Sequence, residues 1–404
     1  MIRFQVANIQ EKHYICRMEE LYAGSFEKML AGFPPVSKEQ WLAQVAKDLK
    51  GRSIQDLYPT SAEGLRIDPF AHADDFPSPP IPLVQQGNSW EICEHISVQD
   101  PAQANAQALE ALEGGAEGVS FELTAPLSGA GLTTLLEGVY IDFIGLHFSG
   151  RGVDENPGQV LAGLTNLSQT RGLSTRMLRG TVSYDPAALT TRLVDWRYLA
   201  DLMAYAEAQF PGFRIIHLDS GQATSTGPVA TLSALLSRTN HYFQQLTARG
   251  VAAADIAAQL HFSLAVHVDY FETIAGIRAF KLLYLNLLDA WEVPLQPAIT
   301  AAYFQAGAYT DALHTNMIRA TTMAMSAALA GVHRLTVSPY DTGREAQATH
   351  SRAFGRRIAR NVQHLLKLES RLDQPIDPAA GSYYIEKRSL QLAAETWSRF
   401  QKST

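Results

Sequence analysis

The sequence has very few cysteines: Cys16 and Cys93 are the only two among 404 residues. Two cysteines cannot form the disulfide framework of a small secreted domain, and no C-x-x-C pair suggests zinc or redox chemistry. Cys93 lies inside an apolar segment, which is typical of an unreactive buried thiol. Charged residues make up only 18% of the chain, the net charge is −7, and Lys and Arg form no dense run. A nucleic-acid partner is therefore not expected.

Long apolar runs are also absent. No segment approaches the roughly 20 uninterrupted apolar residues that a membrane-spanning helix needs, so no membrane association is expected. The first residues, MIRFQVANIQEKHYICRMEELY, show neither the apolar core nor the small-residue cleavage site of a secretory signal. A cytoplasmic location is the expectation. Hydrophobic residues nevertheless make up 46% of the chain, which suits a protein with a substantial core.

Eight apolar, β-branched segments recur after Trp90, and segments with helical spacing separate them. The eight occupy residues 90–96, 118–123, 139–148, 176–183, 213–219, 259–268, 295–303 and 333–339. Helix starts are indicated by the pairs Asp100-Pro101, Asn156-Pro157, Asp185-Pro186 and Gly227-Pro228. This alternation predicts an α/β fold, the eight-stranded parallel β/α (TIM) barrel. A doubly wound open sheet is the competing fold, but the Gly-rich motifs GxGxxG and GxxxxGK[ST] are absent.

The amino-terminal part of the chain has a different pattern. Residues 39–49 predict one short amphipathic helix, and the proline-rich segment 76–83 cannot form a regular helix. We expect residues 1–85 to form an extended and helical arm that contacts another subunit, because they are too few to form a core of their own. Residues 86–404 are expected to form the barrel.

In a β/α barrel the functional side chains follow the carboxyl ends of the strands. Imidazole and carboxylate groups are present there at His95, His147, His267, Asp219 and Asp341, and such groups suit zinc, iron or manganese. This set makes a metal-dependent barrel hydrolase one alternative. No H-x-H or H-E-x-x-H motif holds two ligands on one face, however, so a structural role is favoured for each histidine. No metal site is expected.

Several motifs in the second half of the chain follow one another in a distinctive order. They are FETIAGIRA (271–279), NMIRAT (316–321), RIARNVQ (357–363) and DPAAGSYYIE (377–386). They resemble F-x-x-I-A-x-x-R-A, N-x-x-R-x-T, R-x-A-R-N-x-Q and D-P-x-x-G-S-Y-Y-x-E of the barrel domain of the methylmalonyl-CoA mutase family. RGTVSYDP (179–186) is similar to the family's G-T-I-Q-N-D strand end. The resemblance covers the chain from about Trp41 to the carboxyl terminus. It implies a barrel that holds a coenzyme A ester along its axis, in a tunnel lined by small hydroxylated side chains.

The departures from the family pattern concern the catalytic loops. After the fifth strand the family's catalytic chains carry G-Y-H-M-Q-E-A-G, whereas residues 220–227 read SGQATSTG, without Tyr or His. Ser183 replaces a Gln after the fourth strand. The resemblance therefore implies a small (beta), non-catalytic subunit whose partner in a heterodimer is the large catalytic subunit. Ser183, Asp185, Asp219 and Gln222 mark the degenerate site, and no catalytic or cofactor-binding residue is assigned.

The family's cofactor is adenosylcobalamin, and its cobalt-ligand motif D-x-H-x-x-G is not found in this sequence. The carboxyl-terminal cobalamin-binding domain is thus expected to be absent from this chain, which would bind no cofactor alone. Without the large subunit, the isolated chain is expected to be able to form a homodimer. We expect the barrel axis to be narrowed or filled by side chains, because unused polar groups need partners. The second alternative is an active mutase half that uses Asp185, Asp219 and Gln222.

Overall fold

Eight parallel strands close into a barrel in chain order, and β8 pairs with β1. The strands are β1 (Glu91–Val98), β2 (Gly118–Leu123), β3 (Gly145–Ser149), β4 (Arg179–Tyr184), β5 (Gly212–Asp219), β6 (Leu260–Val266), β7 (Thr300–Phe304) and β8 (Arg334–Thr336). The computed structural model describes residue 32 and residues 35–61, 63–78, 83, 85, 87–189, 193–222, 227–305 and 307–403. The expected parallel β/α barrel is confirmed, and the open sheet is excluded.

Helices connect the strands and cover the outside of the barrel. They are α1 (Lys38–Asp48), α2 (Pro101–Glu113), α3 (Gly129–Leu135), α4 (Arg151–Glu155), α5 (Pro157–Thr170), α6 (Trp196–Gln209), α7 (Pro228–Thr247), α8 (Ala253–Gln259), α9 (Tyr270–Ala290), α10 (Leu313–Leu329), α11 (Arg352–His364) and α12 (Tyr383–Ser403). A π-helical turn, Leu365–Glu369, continues α11. Short 3₁₀ helices occur at Ile54–Leu57, Ala73–Asp75, Thr175–Met177, Pro186–Ala188, Ser220–Gln222 and Glu345–Gln347.

Each of the eight predicted strand segments overlaps an observed strand, but several predicted boundaries were wrong, among them the starts of β3 and β7 and the helix start at Asp185-Pro186. The apolar residues before β3 form a turn in which Val139 and Ile141 are buried while Tyr140 and Phe143 are exposed, so their alternation does not belong to a strand. Asp185-Pro186 opens only a single 3₁₀ turn, and the α-helix begins later, after Asp195. The carboxylate of Asp195 accepts from the backbone N–H of Tyr198 and caps that helix.

The motifs that resemble the mutase family hold the outer helices on the barrel. Arg278 of α9 is buried and pairs with Asp377 and with Glu386 of α12. On the other side, Arg360 of α11 pairs with Glu94, which lies on the outer face of β1. Because these ions are shielded from water, each needs its partner to remain buried and charged. These motif residues therefore hold α9, α11 and α12 in place.

The described part of the amino-terminal arm packs against the barrel. The helix predicted at 39–49 is observed as α1, one residue earlier. Lys38 pairs with Asp68 and Asp75, and Lys387 of α12 pairs with the same two carboxylates. Nearby, both oxygens of Glu63 accept from backbone N–H groups in the first turn of α7, at 2.9 Å each. Residues 79–82 of the proline-rich segment predicted at 76–83 lie outside the described residues.

Candidate functional site at the barrel axis

The axis of this barrel is lined by polar side chains. Strand residues that bond one another across the interior include Glu91, His147, Thr181, Ser183, His217, His261, Ser263, Tyr303 and Arg334. Barrels of this fold usually fill their interior with Val, Ile and Leu. A polar interior costs free energy unless each buried group finds a hydrogen-bond partner. The hydrogen bonds among these residues therefore decide what the site can do.

A chain of hydrogen bonds crosses the barrel. Nε2 of His147 lies 2.7 Å from Oε1 of Glu91, and its Nδ1 lies 3.0 Å from Oγ1 of Thr181. Arg334 donates from Nη1 to the same hydroxyl oxygen at 3.4 Å. Arg334 belongs to β8 and Thr181 to β4, which face each other across the closed ring of eight strands. Side chains therefore bridge the interior at this level, and the expectation of a narrowed axis is confirmed there.

Ser183 lies in a second buried group. Its Oγ is 3.2 Å from Nε2 of His261, and the ring of His261 stacks on His217 with centroids 4.9 Å apart. His217 in turn lies 2.8 Å from Oγ of Ser263. Burial lowers the pKa of His217 to about 3 and holds the pKa of His261 well below its usual value. Both rings are therefore neutral at physiological pH and are poor general bases.

Asp219, at the carboxyl end of β5, is held by two donors. Its Oδ1 accepts from the hydroxyl of Tyr303 at 2.7 Å and from the backbone N–H of Gly221 at 2.9 Å. Burial raises the pKa of this carboxyl, and the two hydrogen bonds oppose that rise. The neighbouring Ser220 hydroxyl accepts from the backbone N–H of Ala265. Sequence reasoning placed Asp219 correctly at the end of the barrel where the carboxyl ends of the strands lie. The structure shows that its carboxylate accepts from Tyr303 and Gly221.

The other two candidate positions lie beside this end of the barrel. Asp185 is buried and accepts from the hydroxyl of Tyr242 at 2.6 Å, from Arg238, and from the backbone N–H of Ala188. Gln222 ends the 3₁₀ turn after β5, and its side chain lies outside the described residues. The described candidates therefore all carry structural hydrogen bonds.

The residues of the proposed hydrolase site do not form a metal centre. His95 lies within β1 and not after it, and its Nε2 is 3.4 Å from Oε2 of Glu122. His267 is exposed after β6, whereas Asp341 is buried. Within the ranges that the structure describes, the one set of three or more His, Cys, Asp or Glu ligand atoms near a common point is Glu91, Cys93 and His147. His147 thus has different neighbours from those expected.

Sequence reasoning assigned Tyr303 to the end of the seventh strand but missed other residues that line the axis, notably His217, His261 and Arg334. A signal for them is present, because polar residues alternate with apolar ones along β5 and β6, as in His261 and Ser263. The alternation indicates a polar inner face. It does not reveal which strands bond across the interior.

Together, the closed ring of strands and its polar, hydrogen-bonded axis define a β/α barrel whose interior departs from the usual hydrocarbon filling. The family model for methylmalonyl-CoA mutase matches residues 128–403, and this chain belongs to that family. It is 29% identical to the methylmalonyl-CoA mutase small subunit of Porphyromonas gingivalis, over 93% of this chain and 64% of that protein. It is 28% identical to the small subunit of Streptomyces virginiae, with the same coverage.

The large subunit of Streptomyces virginiae is also similar, at 23% identity over 92% of this chain and 57% of that protein. The matches to the family model and to the two small subunits confirm the resemblance to a small-subunit barrel domain. The chain spans 64% of the length of the two small subunits it matches. In the described part of the chain, every helix is too short or too polar to cross a bilayer.

Proposed function

We propose that this chain is the barrel of a small, non-catalytic subunit that stabilises the large catalytic subunit of an adenosylcobalamin-dependent methylmalonyl-CoA mutase. The complex would interconvert succinyl-CoA and (R)-methylmalonyl-CoA. The residues 1–85 would contact the large subunit, and the barrel would begin at residue 86. A cytoplasmic location and a heterodimeric assembly belong to the same proposal, and a chain without its partner would be free to form a homodimer.

The observation that carries this proposal is the use of the site residues in structural hydrogen bonds. Ser183 is bonded to His261, Asp185 to Tyr242, and Asp219 to Tyr303. A general acid or base needs a free position facing the reacting atoms and a pKa near the working pH. Because Ser183, Asp185 and Asp219 are already hydrogen-bonded within the protein, they do not provide such a free position. The bridge from Arg334 to Thr181 also crosses the space in which an ester tunnel would run.

The residues of this chain do not fit the cobalamin. A cobalt ligand of the D-x-H-x-x-G kind is not found in the printed sequence. Two of the histidines that line the axis, His147 and His261, are buried and engaged with Thr181 and Ser183. We therefore assign the cofactor to the complex and derive no chemical step through it in this chain.

An active mutase half is the competing function, and it differs from the proposal in one measurable property. An active half must bind the ester in its own barrel, whereas a scaffold need not. Isothermal titration of the isolated chain with succinyl-CoA tests this directly. We expect no saturable heat. One-to-one binding would favour the active half.

The scaffold role is tested by co-expression with a methylmalonyl-CoA mutase large subunit from the same organism. We expect the two chains to copurify in equal amounts and the large subunit to unfold at a higher temperature than it does alone, since binding to the folded state stabilises it. A large subunit that is equally stable without this chain would contradict the proposal.

A further inference from the structure

The strongest unassigned feature of the molecule lies inside the barrel, where hydrogen bonds join Glu91, His147, Thr181 and Arg334. The ligand atoms of Glu91, Cys93 and His147 all lie within 4.8 Å of one another. We propose that these three residues bind one thiophilic divalent cation of the Zn²⁺ type. The proposal does not depend on the partner subunit or on the mutase reaction.

The register of the first three strands explains how the three side chains meet. Glu91 and Cys93 are two residues apart on β1 and so point to the same face. Cys93 pairs with Gly118 on β2, and Gly118 pairs with Gly145 on β3. A Cβ at either glycine would overlap the carboxylate of Glu91. The two glycines thus leave the space in which Glu91 reaches across β2 to His147.

The chemistry of the three ligands suits zinc. Thiolate, imidazole and carboxylate are the groups that bind Zn²⁺ in proteins, and three protein ligands leave a fourth tetrahedral position open. Thr181 lies 3.0 Å from Nδ1 of His147 and directs Nε2 towards Glu91. A hydrogen-bond partner on the second ring nitrogen is the usual arrangement for a metal-binding histidine.

Protonation states and nearby charge define the binding step. Burial lowers the pKa of His147 to about 4, so its imidazole is neutral and able to coordinate. Burial raises the pKa of Cys93 to about 12, so the free thiol is protonated. The incoming cation forms a metal–sulfur bond while the S–H proton leaves to solvent. The cation also takes the place of the hydrogen bond between Nε2 of His147 and Glu91, and the ring proton moves to Nδ1, where the hydroxyl oxygen of Thr181 accepts it. Arg334 opposes the cation, and the carboxylate and the new thiolate offset that repulsion.

The test uses the purified full chain, freed of metal by a chelator and titrated with Co²⁺ and with Zn²⁺ under reducing conditions. We expect one ion per chain, a thiolate-to-cobalt charge-transfer absorption, and release of one proton per Zn²⁺ bound. Cys93→Ser should abolish the absorption, and His147→Gln should weaken Zn²⁺ binding by at least about tenfold. Circular dichroism establishes that each variant is folded.

Two control variants decide between this site and adventitious binding. Cys16→Ser removes the other thiol of the sequence and should leave the absorption unchanged. His95 lies on β1, as Cys93 does, and its exposed imidazole is beside Glu122 of β2. His95→Gln removes that imidazole and should also leave the absorption unchanged. If the wild-type chain shows no charge-transfer absorption, or if the absorption depends on Cys16 instead of Cys93, the site is not the one proposed. Should Cys93→Ser fail to fold, Gly145→Ala provides the second test: its methyl group displaces Glu91 and should weaken Zn²⁺ binding.

Discussion

Arg278 and Glu386 form a buried ion pair, with Nη2 of the arginine 2.8 Å from Oε1 of the carboxylate. The two residues are more than 100 positions apart, in two motifs that made the sequence resemble the mutase family. Asp377, from the second of these motifs, pairs with the same guanidinium. These two motifs of the family therefore join α9 to α12.

The first prediction concerns this ion pair. Replacing Arg278 with Met should destabilise the folded chain by about 3–5 kcal/mol, because two buried carboxylates lose their counter-ion. Urea unfolding followed by circular dichroism measures the loss. Arg151→Met is the matched control, since Arg151 is exposed and its pair with Glu155 spans one helical turn; it should change stability by less than about 1 kcal/mol. Equal effects of the two substitutions would show that burial of the pair has no energetic importance.

The second prediction concerns the hydroxyl of Tyr303. Tyr303→Phe removes one of the two hydrogen bonds to Oδ1 of Asp219 and should cost about 1–3 kcal/mol, because the half-buried carboxylate loses a donor. Tyr140→Phe is the control, since Tyr140 is exposed and precedes the amino end of β3. Thermal unfolding of both variants gives the comparison. A Tyr303→Phe chain as stable as the wild type would mean that water satisfies Asp219 equally well.

The third prediction is a loss of stability in acid caused by His333. Burial, with help from the charges of Lys281 and Arg214, lowers the pKa of His333 to about 4. Its Nδ1 also accepts from the backbone N–H of Thr300 at 3.2 Å, which requires an unprotonated nitrogen. The unfolded chain takes up the proton near pH 6.5 and the folded chain only near pH 4. Stability contributed by the neutral ring is thus present above pH 6.5 and is lost as the pH falls towards 4.

His333→Asn keeps an acceptor for Thr300 and removes the titration. Between pH 6.5 and 4 the variant should lose about 3 kcal/mol less stability than the wild type. Urea unfolding at several pH values measures the difference. The exposed His314 provides the control, because His314→Asn should keep the wild-type pH profile. Parallel profiles for the wild type and His333→Asn would contradict the assignment.

The fourth prediction concerns the arm. Glu63 places a carboxylate on the amino-terminal turn of α7, where negative charge is favoured by the helix dipole. Glu63→Gln should cost about 0.5–1 kcal/mol and speed proteolytic cleavage within the arm. Glu207→Gln, an exposed position in α6, should alter neither property. Unchanged proteolysis of the Glu63 variant would show that this contact does not hold the arm in place.

The fold was predictable because the strand signal is strong and repeated. Short apolar runs bounded by Gly, Pro and Asp marked all eight strands, and pairs such as Gly227-Pro228 marked the helix starts correctly. The exceptions have physical causes. The residues before β3 alternate because Val139 and Ile141 pack under a turn, and Asp185 uses its carboxylate for Tyr242 and Arg238 instead of starting an α-helix.

The site was predictable only in part. The positions of Ser183 and Asp219 near strand ends followed from the strand assignments, but their partners did not. His261 and Tyr303 come from β6 and β7, and only the register of the closed barrel brings them to Ser183 and Asp219. The meeting of Glu91 with His147 depends on Gly118 of β2 and Gly145 of β3, which no local sequence pattern reveals.

The central claim, that this chain supports catalysis without performing it, is tested most directly by turnover. The measurement is interconversion of succinyl-CoA and methylmalonyl-CoA with added adenosylcobalamin, by the chain alone and by its complex with the large subunit. The account predicts no turnover by the chain alone. It also predicts full activity when the complex carries Ser183→Ala and Asp219→Asn. Turnover by the isolated chain, or loss of complex activity in that variant while assembly is retained, would contradict the account.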